Sequence, residues 1–215
     1  MGKLKIRIPD YTLGEEIVNS ISHGAGAVFG IVALVLMIIK AHGAMTITCV
    51  SIFGASIIIL YTISCIYHSL SPRLTGKQVL RVIDHCNVFL LVFGTYIPAS
   101  LIGVRGKLGW FLFGFVALIS LIGIVASAVD VDRNGKLEVI CHLICGWSIV
   151  VGLPSLKENI PMLGIEYMII GGLMYTIGSI LYGLGKKIRY MHSVFHFFCL
   201  FGTLFHFWAI FAYII

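Results

Sequence analysis

Charge is what this sequence has least of: Asp, Glu, Lys and Arg make up 11% of its 215 residues, while 59% are hydrophobic and the mean hydropathy is +1.04. A soluble domain of that length carries far more charge on its surface, so a soluble fold is excluded. There is no His-Glu-x-x-His, no Gly-x-Ser-x-Gly and no phosphate-binding loop, which leaves soluble-protease, hydrolase-elbow and nucleotide readings without a motif. The start, Met1 to Glu16, is polar, with Lys3, Lys5, Arg7, Asp10, Glu15 and Glu16, and lacks the apolar centre of a cleaved signal. Gly2 is followed by Lys-Leu-Lys-Ile, without the Ser or Thr that an acylation signal needs at position 6. Neither a linker nor an internal repeat is evident, so an inverted-repeat transporter gains no support. The six cysteines (Cys49, Cys65, Cys86, Cys141, Cys145, Cys199) all fall in apolar runs, where a thiol behaves as a small hydrophobe, and no disulfide framework is expected. The net charge of +6 comes from basic residues scattered singly through short breaks, without the patch and interleaved aromatics of a nucleic-acid binder.

What is present is a succession of apolar runs, each long enough to cross a bilayer, at roughly 20–39, 45–68, 82–103, 108–129, 137–156, 162–184 and 191–213. They predict an all-α polytopic membrane protein of the plasma membrane: seven transmembrane helices in one domain over 1–215, preceded by a polar segment at 1–19. With the N-terminus cytoplasmic, the inner segments hold Lys3, Lys5, Arg7, Arg73, Lys77, Arg81, Arg133, Lys136, Lys186, Lys187 and Arg189, and the outer ones only Lys40, Arg105, Lys107 and Lys157. Basic residues favour the cytoplasmic side, so the C-terminus is expected outside. Gly24, Gly26 and Gly30 in the first helix, with Gly171 and Gly172 in the sixth, are expected to permit close helix approach. Pro98 should bend the third helix.

With that topology, Ser64 and His68 close the second helix, Asp84 and His85 open the third, and His192 and His196 open the seventh, all at the cytoplasmic end. Ionisable groups inside a membrane helix are rare and point to function, and the topology was set by Lys and Arg alone. His192 and His196, at i and i+4, lie on one helical face. Three histidines and a carboxylate suit zinc, with imidazoles as ligands and an open position for water. We assign His68, His192 and His196 as ligands, Asp84 as base, and Ser64 as a hydroxyl that supports a ligand or holds water. His85, about 100° around the helix from Asp84, is read as structural. Glu16, Asn19, Ser22 and His23 begin the first helix, with Glu16, Asn19 and His23 on one face as supporting residues, either capping and packing or serving the site. His206, about 21 Å along the helix from His192, is too distant for a shared metal and is expected to bond another helix. Glu138, Cys141, His142 and Cys145 form a rival cluster, but one helix alone cannot surround a metal.

These stretches resemble a known family. Glu16-x-x-Asn19-x-x-Ser22-His23, Ser64-x-x-Tyr67-His68, Asp84-His85 and His192-x-x-x-His196 are similar, in that order, to the motifs of the bacterial hemolysin III proteins, within the wider superfamily of progestin and adipoQ receptors. The resemblance covers nearly the whole chain. It implies seven transmembrane helices with a cytoplasmic N-terminus, and zinc held by three histidines with an aspartate at the metal-bound water, which carry over to His68, His192, His196 and Asp84. It also implies a link to alkaline ceramidases and to hydrolysis of lipid amides. The chain departs from the receptor branch in lacking a long cytoplasmic N-terminal region. The expected function is thus a zinc-dependent hydrolase of a lipid amide or ester in membrane lipid homeostasis, with membrane lipid as its partner. The alternatives are a non-catalytic lipid-sensing or receptor-like protein with structural zinc, and a channel or hemolysin that permeabilises membranes.

Overall fold

Seven long apolar helices account for nearly all of the chain in a computed structural model that describes residues 6–185 and 187–215. They are α1 (Leu13–Lys40), α2 (Ala44–Ser69), α3 (Thr75–Val104), α4 (Gly106–Asp130), α5 (Gly135–Asn159), α6 (Met162–Leu184) and α7 (Met191–Ile214). The described residues contain no strand, and large apolar side chains such as Leu13, Ile39, Phe111, Val129 and Ile180 stand outward on the helices. Backbone groups satisfied within each helix and an apolar exterior are what a bilayer demands of a chain that crosses it. The protein is a multi-pass protein of the plasma membrane.

Two helices begin earlier than their apolar runs. At α1 the reason is a capping box: the Thr12 hydroxyl accepts from the Glu15 backbone N–H at 3.2 Å, and the Glu15 carboxylate accepts from the Thr12 N–H at 2.8 Å. At α3 the charged turn expected to be a loop is helical from Thr75. Lys77 and Arg81 lie buried inside that helix rather than in a loop, because each has an acidic partner on another element. Asp84 and His85 therefore do not open α3; they lie roughly 13 Å along it, at about 1.5 Å per residue. Lys3, Lys5 and Lys186, which entered the charge asymmetry, fall outside the described residues.

The helices close into a ring. α1 packs on α2 and α7, α2 on α3, α3 on α4, α4 on α5, and α6 on α7, while α5 touches α3 and α6. The buried stripe of α1 runs Asn19, His23, Gly26, Gly30, Ala33, Met37, at helical spacing, and faces its neighbours. A Cβ on Gly26 would stand 2.7 Å from the Tyr61 ring, and one on Gly171 2.3 Å from the His206 ring, so these glycines do allow close approach. Gly24 is less confined, with its nearest neighbour at 3.4 Å. Gly172 departs from expectation: a Cβ there meets nothing within 4 Å, since the residue lines a cavity. Pro98 ends the regular turns of α3, and Ala99–Val104 continues as π-helix, with the Arg105 N–H reaching the Ser100 carbonyl at 2.9 Å. The carbonyls freed at that end are taken up by α5, where Ser155 and Asn159 donate to Val104 and Gly103.

At the opposite end, Tyr190 precedes α7 in the left-handed region (φ 62°), which a side chain adopts only under constraint. Its backbone N–H donates to the Glu15 carboxylate at 2.6 Å. That bond ties the first turn of α7, and with it His192, to the first turn of α1.

Candidate metal centre

His68 arrives from the last turn of α2, and His192 and His196 from the first two turns of α7. All three are buried, and one ring nitrogen from each lies within 4.8 Å of the other two. His192 Nε2 and His196 Nε2 are 3.1 Å apart. Among the described residues this is the one cluster of three or more His, Cys, Asp or Glu residues with metal-binding geometry. His68 Nε2 and His196 Nδ1 are buried without a hydrogen-bond partner. Buried polar atoms normally have partners, so the unpaired His68 Nε2, in a triad whose His192 and His196 Nε2 atoms face each other at 3.1 Å, fits a cation that takes imidazole lone pairs.

The residues around the triad orient it. His68 Nδ1 sits 2.6 Å from Glu16 Oε2, and Glu16 Oε1 accepts from Lys77 Nζ at 2.5 Å. Asn19, fully buried, lies beside the same imidazole. His23 stacks face to face on His196 at a centroid distance of 3.7 Å and meets Tyr61 edge-on. From outside the membrane-spanning segments Tyr11 stacks on His192 at 4.8 Å. Burial, with Tyr67 and Tyr182 adding, raises its phenol above the ordinary value, so it meets the imidazole as a neutral ring.

Ser64, Asp84, His192 and His196 share the wall of a cavity of about 160 Å³ enclosed by the helices. The rest of its lining is largely apolar, with Leu60, Leu91, Leu143 and Phe195 prominent. Ser64 is positioned to donate to the Asp84 carboxylate. The structure thus brings Asp84 and Ser64 to the cavity that His23, His192 and His196 also line, and places Glu16 and Asn19 against His68, the third member of the triad.

His85, read as structural, ties two helices. It lines the same cavity as Asp84, and its Nδ1 bonds Glu138 Oε2 of α5 at 2.8 Å, because a hundred-degree turn on α3 still faces the interior of a ring. Of the rival cluster, Glu138 and His142 reach the cavity, while Cys145 pairs with Ser120 and His142 stacks on Phe89. His206 bonds the Met168 carbonyl on α6 at 3.1 Å, the interhelical role expected of it. Lys77 and Tyr11 were not singled out from the sequence: a lone lysine between helices reads as a topology signal, and a tyrosine in a polar segment reads as a membrane-interface residue.

The chain is similar to proteins already grouped by sequence. A family model described as Haemolysin-III related matches residues 11–207. Hemolysin-3 of Bacillus cereus is 35% identical over 205 residues, covering 94% of this chain and 92% of its own. The Hemolysin-3 homolog of Bacillus subtilis (strain 168) is 35% identical over 206 residues, covering 94% and 96%. The monocyte to macrophage differentiation factor of Homo sapiens is 22% identical over 170 residues, covering 76% of this chain and 69% of that one.

Proposed function

The chain belongs to the haemolysin-III related family, and we propose that it is a zinc-dependent hydrolase of a lipid amide or ester, acting from the cytoplasmic side of the membrane. The observation that carries this reading is a buried imidazole triad, two members of which, His192 and His196, line the same cavity as Asp84 and Ser64.

The donor set suits the ion. Two nitrogens bound at about 2.0–2.1 Å to tetrahedral zinc stand about 3.3 Å apart, close to the 3.1 Å between His192 and His196. Zinc, when bound, supplies Lewis acidity for a carbonyl and for a nucleophilic water. His68, His192 and His196 would hold it. Asp84 would accept the proton released by the attacking water and return it to the leaving amine or alcohol. Ser64 keeps that carboxylate turned toward the cavity. Leu60, Leu91, Leu143 and Phe195 would take the acyl chain, excluding water from it.

The test is turnover of a panel of lipid amides and esters by purified protein whose zinc content is measured in the same sample. Asp84→Ala should retain about one zinc per chain and lose turnover by at least about 100-fold, the size expected of a general base. Full turnover in that variant rejects the mechanism.

One observation favours a second, non-catalytic reading. Tyr11 stacks on His192 and lies 5.8 Å from His68, ring centre to ring centre, and in that reading zinc would fasten α2 to α7 in a protein that senses lipid. Zinc bound without hydrolysis of any lipid in the panel, and a thermal midpoint that falls on chelation, would support it. Two of the relatives are named Hemolysin-3 and Hemolysin-3 homolog; release of a trapped dye from liposomes holding the purified protein tests for lysis by this one.

A further inference from the structure

Lys77 has no solvent exposure at all. It lies in the first turn of α3, yet its ammonium is turned inward and spent on three partners. It donates to Glu16 Oε1 at 2.5 Å and to the Leu70 carbonyl at 2.8 Å, and it sits 5.1 Å from the centre of the Tyr67 ring. Burying an ammonium costs several kcal/mol even after relaxation, so a lysine placed there needs compensation, which Glu16 supplies. The other oxygen of that carboxylate holds His68 Nδ1 at 2.6 Å. The result is an unbroken line across three helices: Lys77 on α3, Glu16 on α1, His68 on α2.

We infer that Lys77 is a positioning residue for the metal centre, acting through Glu16 to fix the ring orientation and tautomer of His68. The inference rests on the reading of the three histidines as a metal site. A carboxylate at Nδ1 accepts a hydrogen bond from the N–H there, which keeps the imidazole proton on Nδ1 and leaves the Nε2 lone pair as the ligand, and His68 Nε2 is the nitrogen left without a partner. Glu16 alone could rotate about its side-chain torsions. Lys77, anchored on the Leu70 carbonyl at the end of α2, holds the carboxylate where it reaches His68. The anchor also joins α3 to the turn after α2, so the helix bearing Asp84 and the helix bearing His68 are placed by the same ammonium.

The experiment measures zinc affinity by competition with a chromophoric chelator, and the visible spectrum of the cobalt-loaded protein, for wild type, Lys77→Met, Glu16→Gln and the double variant. Lys77→Met and Glu16→Gln should each weaken zinc binding by about 10–100-fold, as loss of a group that orients a ligand does, and should shift the cobalt bands. If the lysine acts through the glutamate, the double variant is no weaker than Glu16→Gln alone. A purely structural lysine would give additive losses and leave the cobalt bands unchanged, and either result overturns the inference. Where Lys77→Met fails to fold because Glu16 is left as an unpaired buried charge, the double variant, which buries no charge at this pair, is compared with Glu16→Gln, and any further loss of affinity overturns the inference. Wild type that takes up no zinc overturns the metal reading and this inference together. Zinc on wild type and equally tight zinc on Lys77→Met overturns the inference alone.

Discussion

At the scale of single residues, the triad is the feature most open to a decisive result. Changing His192 and His196 together to Ala should abolish zinc binding, from about one ion per chain to none, while the far-ultraviolet circular dichroism stays helical. Metal analysis of the detergent-purified proteins reads this directly. The histidines and Asp84 were legible in the sequence because an ionisable group in an apolar run is conspicuous. Lys77 was not, since a charge beside a helix end looks the same in sequence whether its side chain turns to water or to a buried carboxylate. The partner of His85 was also hidden: one residue's rotation on a helix says which way a side chain points only after the helix's own neighbours are known. Its bond to Glu138 joins α3 to α5, two helices that are not consecutive.

At the scale of elements, the helices are held by close approach and by ties at their ends. Gly171→Ala would place a methyl 2.3 Å from the His206 ring and 3.1 Å from the Gly202 carbonyl. It should destabilise the α6–α7 pair by about 1–3 kcal/mol, the range for overpacking. Gly172→Ala, facing the cavity, should stay within about 0.5 kcal/mol of wild type. Thermal unfolding in one detergent compares the two. A second tie lies outside the membrane-spanning segments, where Asp132, between α4 and α5, accepts from the Arg7 backbone N–H at 3.0 Å and from Arg81 at 2.7 Å. Partial burial raises this carboxyl, but those two donors outweigh it and hold it below the ordinary carboxylate value. A group whose folded value is depressed contributes stability above its unfolded value and loses it as pH falls through the folded one. The thermal midpoint of wild type should thus exceed that of Asp132→Asn near neutral pH. The gap should narrow from about pH 4 downward, and an unchanged gap at pH 3 and pH 7 would contradict this account of the tie. Helix number and approximate ends were legible because apolar length is a local property. The early starts of α1 and α3 were missed because a capping box at α1, and at α3 ion pairs from Lys77 to another helix and from Arg81 to a turn, extend a helix beyond its apolar run.

At the scale of the whole molecule, metal and fold should be linked. The candidate ligands sit on α2 and α7, on either side of α1 in the ring, so an ion bound by them only in the folded state would stabilise it by about 2.7 kcal/mol at a free concentration one hundred times Kd. A strong chelator should lower the thermal midpoint of wild type and leave that of the His192→Ala, His196→Ala double variant unchanged; equal behaviour of the two would place the metal elsewhere. Membrane residence, helix count and the identity of the polar residues inside the apolar runs were determined by the sequence alone, because the cost of charge and unpaired backbone in lipid depends on composition and run length. Only the tertiary structure decided that α1 stands between α2 and α7, that Asp84 and His85 face one cavity, and that Lys77 reaches the triad through Glu16. Those are facts of how helices close into a ring, and contacts between residues 61 and 175 positions apart leave no periodic trace in the chain.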